Sequence, residues 1–103
     1  MTPVTFTFVG AATVAWTVPE DVTCIGIAQT GANNCLVSTD PELKIADFTT
    51  PVTKVIYGVI GFIPSGVKNT INCQTPLLKD SVVYLISAGA GGIILYFAEQ
   101  FQL

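Results

Sequence analysis

The sequence predicts an all-β fold: an antiparallel β-sandwich, jelly-roll-like, of about eight short strands with at most one short helical turn. Three observations carry that expectation. Apolar residues alternate with period two in several stretches, Gly-, Pro- and Asn-rich turns recur between them, and no stretch keeps a helical period beyond a turn or two. An immunoglobulin-like sandwich is the second choice, because alternation does not state how strands connect. With 103 residues, half of them hydrophobic and 11% charged, the chain makes one domain, residues 1–103, too apolar to stay disordered. There is no linker, internal repeat or low-complexity tract.

Taken in order, Val4, Phe6 and Phe8 alternate with Thr5 and Thr7, and Val14, Trp16 and Val18 alternate with Thr13, Ala15 and Thr17. Gly10-Ala11-Ala12 between them predicts a hairpin, closed at its far side by Pro19-Glu20-Asp21. Val22 to Gln29 is a third strand, Thr30 to Asn34 a turn, and Cys35 to Ser38 a short return strand. From Thr39 to Thr50 the alternation lapses; Thr39 or Asp40 followed by Pro41-Glu42 offers a helix cap, with Leu43, Ile45, Ala46 and Phe48 to pin a turn or two. Val52 to Ile63 reads as one long or two short strands broken near Gly58 and Gly61, and Pro64-Ser65-Gly66 ends it. Val67 to Cys73 alternates as an edge strand with one wet face, and Pro76 to Asp80 turns into a last strand pair, Val82 to Ile86 and Ile93 to Phe97.

The reactive groups exclude more than they offer. The chain has no His, its cations are Lys44, Lys54, Lys68 and Lys79, scattered singly, and its net charge is −3. Phosphate neutralisation needs clustered cations, so nucleic-acid binding is not expected. Serine or cysteine nucleophiles lack an imidazole partner, and Glu20-Asp21, the adjacent carboxylate pair, falls in a solvated turn. Gly89-Ala90-Gly91-Gly92 precedes a strand, where a phosphate loop would open a helix. No enzymatic activity, no cofactor and no metal are therefore expected. Cys24, Cys35 and Cys73 lack a C-x-x-C spacing and are expected as free thiols, a Cys24–Cys35 bridge across a hairpin being the alternative. The start of the chain has neither the basic region nor the continuous apolar stretch of a secretory signal. The uncharged run from Ser81 to Ala98 is broken by Ser87 to Gly92 and predicts two strands rather than a membrane span, so no membrane association is expected.

A surplus of apolar positions remains. Val82, Tyr84 and Ile86 lie on one face of a strand and Val83 and Leu85 on the other, which points to self-association. Val4, Phe6, Phe8, Tyr57, Phe62, Tyr84 and Tyr96 are the interface candidates, with Met1 to Phe8 as a candidate anchor strand and the turns Gly31 to Asn34 or Pro64 to Gly66 free to vary or to carry an extra contact.

Two phrases carry a resemblance. Phe8-Val9-Gly10 through Ala15-Trp16-Thr17-Val18-Pro19-Glu20-Asp21-Val22-Thr23 resembles the opening of small β-sandwich virion proteins of tailed bacteriophages. Pro76 to Ser87 with Ile93-Ile94-Leu95-Tyr96-Phe97 is similar to their close, although the Gly that follows the lysine in that pattern is absent after Lys79. Together the phrases cover about a third of the chain. The resemblance implies a capsid decoration (cement) protein or a related spike or fibre-head module, a homo-oligomer, typically a trimer. It would be made in the host cytoplasm, sit on the virion surface and bind the major capsid protein to stabilise the shell. A carbohydrate-binding fibre or lectin-like module is the alternative.

Overall fold

The computed structural model describes residues 1–42, 58–65 and 70–98. Among the described residues eight strands form: β1 (Val4–Phe8), β2 (Ala12–Thr17), β3 (Val22–Gln29), β4 (Cys35–Ser38), β5 (Val59–Ile63), β6 (Thr70–Leu77), β7 (Val82–Ser87) and β8 (Gly91–Phe97). They pair antiparallel in two four-stranded sheets, ordered β1-β8-β3-β6 and β2-β7-β4-β5. Apart from β4 and β5, which are neighbours, every pair of consecutive strands is split between the sheets. That order is a jelly roll.

The split corrects the expected hairpins. β1 pairs with β8 and β2 with β7, so the turn between β1 and β2 crosses from one sheet to the other instead of closing a two-stranded ribbon. The same holds for β3 with β4 and for β7 with β8. β1 is also built into a sheet, Val4 opposite Leu95 and Phe8 opposite Gly91, and so is not an arm held out to a neighbour.

Alternation sorts residues between the core and the two outer faces. Cys24, Ile27, Ile93 and Leu95 from one sheet meet Cys35, Val37, Ile63, Val83 and Leu85 from the other, all buried. Phe6 and Phe97 of the first sheet hold Trp16 of the second between them, with ring centroids 5.9 and 5.7 Å away, an aromatic clamp across the sandwich. Gly61 faces inward where a Cβ would collide with the side-chain tips of Ile27 and Ile71, so glycine sets how closely β5 lies over the opposite sheet.

β6 is the predicted edge strand, but it runs Thr70–Leu77, past the turn expected at Pro76. Pro76 sits opposite Thr23, and a strand paired on one side tolerates a residue without an N–H. The uncharged Ser81–Ala98 run is β7, a crossing turn and β8; among the described residues no helix is long and apolar enough to cross a membrane. The helical turn expected over 39–50 falls beyond Glu42 outside the described residues, as do the strand expected over 52–57 and Val67 to Asn69. At the β6–β7 turn Asp80 adopts φ 71°, the left-handed region that favours glycine.

Candidate functional site

Because successive strands run in opposite directions, the connections gather at two ends. Those after β2 (18–21), β4 (from Thr39) and β6 (78–81) lie at one end, and those after β1 (9–11), β3 (30–34), β5 (from Pro64) and β7 (88–90) lie at the other. Among the described residues every charged side chain, namely Glu20, Asp21, Asp40, Glu42, Lys79 and Asp80, belongs to the first end. No described strand carries a charge, and neither does the described part of the second end.

The acidic end is tied down through its backbone. Lys79 N–H donates to Asp21 Oδ1 at 2.8 Å. Asp80 N–H donates to the Val18 carbonyl at 2.8 Å, and Val18 N–H to the Ser81 carbonyl at 2.9 Å. Val18, fully buried, plugs the core beneath. On the neighbouring connection Asp40 N–H donates to Ser38 Oγ at 3.0 Å and Glu42 N–H to Asp40 Oδ1 at 2.8 Å, an Asx-type turn that leaves Asp40 buried and Glu42 exposed. Glu20, Asp21, Lys79 and Asp80 are exposed. The result, among the described residues, is an excess of negative charge over a hydrogen-bonded loop pair.

At the second end, uncharged among the described residues, neutral polar groups do the holding. Gln29, 5% exposed, accepts from Asn33 N–H at 3.1 Å and from the Cys35 thiol at 3.3 Å. Asn33 Nδ2 reaches the Ala90 carbonyl at 2.7 Å, and Ser65 donates through N–H to Asn34 Oδ1 at 2.6 Å and through Oγ to the Ala32 carbonyl at 2.7 Å. Gly31 lets loops 30–34 and 88–90 touch: a Cβ there would come within 2.8 Å of the Ala90 carbonyl oxygen. The turns expected to vary or to carry an extra contact, 31–34 and Pro64-Ser65, are bonded to each other.

The thiols are free, and their placement differs from the hairpin expectation. Cys24 and Cys35 sit on strands of opposite sheets. The neighbour of Cys24 is Cys73 on β6, with Sγ atoms 3.6 Å apart. Burial, and then the Cys73 thiol beside it, push the Cys24 thiol up to about 12. Burial also raises Cys35, against the hydrogen bond with Ser87. Among the described residues no three His, Cys, Asp or Glu side chains come together to hold a metal ion.

The interface candidates disperse. Phe8 is 4% exposed and belongs to the core, so it has no face to offer; Val4 and Phe6 are half-buried against that core. Tyr57 lies outside the described residues. Tyr84 and Phe62 point outward from the sheet β2-β7-β4-β5, half-buried and 43% exposed respectively, and Tyr96, 38% exposed, points outward from the opposite sheet. Leu36 and Ile86, paired on the same outward face as Phe62, are already buried within the single chain. The apolar second face of β7 is therefore no proof of a partner.

No family model matches the chain, and no curated protein matches it. A solved structure similar to it is the NLP core of Drosophila, described for its pentamer formation and histone binding. It is 16% identical, with a TM-score of 0.50, over 96% of this chain and 100% of that one. At that identity the likeness establishes a shared fold. It also overturns the virion expectation, since the domain that superposes end to end is a pentamer-forming, histone-binding core, not a trimer on a capsid shell. The capsid-decoration function, the trimer and the major capsid partner are withdrawn. The two phage-like phrases fall on β2 entering β3 and on β7 with β8, where any jelly roll needs alternating apolar residues and a tight turn.

Proposed function

We propose that this domain is a non-enzymatic binding module that self-associates into a ring and holds a basic protein at its acidic end, histones being the partner class named for the Drosophila neighbour. The observation that carries it is that, among the described residues, every charged side chain lies at one end. In a ring that sets the acidic ends side by side, their fields add, and a cationic partner meets a continuous negative rim. The outward Phe62 and Val59 of edge strand β5, 43% and 48% exposed, offer apolar contact for self-association.

Titration calorimetry with core histones at low and moderate salt, beside light scattering, tests both halves. A mass near five times the 10.9 kDa chain and histone affinity that falls with salt are expected. Replacing two of the exposed carboxylates (Glu20→Gln with Asp80→Asn) weakens binding roughly tenfold if each contact is worth about 0.5–1 kcal/mol. A monomer that ignores histones at low salt overturns the proposal.

A further inference from the structure

We propose that Cys24 and Cys73 are a disulfide-forming pair, oxidised by a peroxide to a covalent link between β3 and β6. The two sulfurs are already in contact at 3.6 Å, and the Cys73 thiol also reaches the Cys24 carbonyl at 3.4 Å. A disulfide needs about 2.05 Å between sulfurs, so side-chain rotation and a small strand shift close the gap.

The register explains the approach. Cys24 opposes Thr75 and Gly26 opposes Asn72, so Cys73 and Gln74 together face Ile25. This bulge swings Cys73 diagonally toward Cys24 instead of holding it a full ladder step away. Among the described strands β6 is an edge strand paired with β3 alone, so it shifts toward β3 without breaking a second described ladder.

Exposure sets the order of events. Cys73 is half-buried and meets the oxidant first, whereas Cys24 is fully buried. The Cys73 sulfur attacks a peroxide oxygen: an S–O bond forms, the O–O bond breaks and water leaves, giving a sulfenic acid. The Cys24 sulfur then attacks the Cys73 sulfur. An S–S bond forms, the S–O bond breaks, and the departing hydroxide takes the Cys24 proton to leave as a second water. Two thiols and one hydrogen peroxide thus give one disulfide and two waters. Cys35, on the other sheet and bonded to Gln29 and Ser87, takes no part and serves as an internal reference.

Hydrogen peroxide treatment of the folded full chain, followed by thiol titration in denaturant and peptide mass mapping, tests the proposal. Titratable thiols are expected to drop from three to one, with the Cys24 and Cys73 peptides joined at a loss of two hydrogens and separated again by dithiothreitol. Cys73→Ser is expected to keep both of its thiols under the same treatment. A sulfenic or sulfinic acid that persists on Cys73 while Cys24 stays titratable overturns the proposal, as does a chain that retains all three thiols or loses Cys35 as fast as the pair.

Discussion

The two ends of the sandwich are built by the same strands and held in different ways. At the uncharged end, side chains hold the loops: Gln29, Asn33, Asn34, Ser65 and Thr30 each bond a connection other than, or beyond, their own turn. At the acidic end, the 18–21 and 78–81 loops are bonded largely backbone to backbone, and the carboxyl groups of Glu20 and Asp80 appear in none of those bonds. Neutral polar residues therefore serve the fold at one end; at the other Asp21 and Asp40 also hold backbone N–H groups, and Glu20 and Asp80 are exposed carboxylates outside those bonds. Substitutions at the first end are expected to cost stability, and those at the second to cost binding.

The largest effect is expected at Gln29. Its carbonyl oxygen accepts two bonds in a buried site, so Gln29→Ala leaves Asn33 N–H without that acceptor and opens a cavity under loop 30–34. A loss of about 2–4 kcal/mol follows from the unsatisfied donor and the void together. Urea unfolding measures it, and a loss below about 1 kcal/mol counts against side-chain control of this end.

Alkaline pH probes the boundary between core and acidic end, where Cys24 lies. Its folded value stands above the ordinary thiol value of 9.0, at about 12. The folded state thus keeps its proton where the unfolded chain releases it. Stability from this group is intact below pH 9 and is lost as pH rises from 9 through about 12, with a slope of up to about 1.4 kcal/mol per pH unit. Cys24→Ala is expected to flatten that decline, leaving the smaller contribution of Cys35. A profile unchanged by the substitution would mean that other groups govern alkaline unfolding.

Asn34→Ala tests a single link at the uncharged end. It removes the acceptor of Ser65 N–H in an exposed setting, where water replaces the bond. About 1 kcal/mol is expected, and hydrogen exchange at Ser65 should speed up without comparable change at Val18.

How much of this was legible in the sequence follows from what alternation can encode. It places Val4, Phe6 and Phe8 on one face of a strand, and Val83 and Leu85 opposite Tyr84 and Ile86, and the strands fall close to where those patterns lie. It does not say which sheet a strand joins, so β1 and β2 read as a hairpin although each pairs elsewhere. Pro76 reads as a turn in the sequence yet lies within β6, because proline breaks a central strand but not an edge. The Cys24–Cys73 contact depends on a bulge, which shifts the register by one residue without a mark in the composition. The acidic end, by contrast, carries a signal in the sequence. In a chain of alternating antiparallel strands every second turn lies at the same end, and the described carboxylates all follow β2, β4 or β6.

The smallest effect, and the one that separates the ends most cleanly, is expected at Asp80. Its φ of 71° lies where a side chain is disfavoured, although Asp tolerates it better than most residues. Asp80→Gly relieves that strain but gives the unfolded chain more freedom, so the net gain is about 0.5 kcal/mol or less. The same substitution removes one exposed carboxylate from the acidic end. Stability and histone affinity should therefore move in opposite directions, the thermal midpoint rising slightly while binding weakens at low salt. Asp80→Asn removes the charge and keeps the tolerance for this backbone, so it should weaken binding equally with no rise in the midpoint. If the glycine variant weakens binding and the asparagine variant does not, the loop's shape and not its charge meets the partner, and the electrostatic division between the two ends fails.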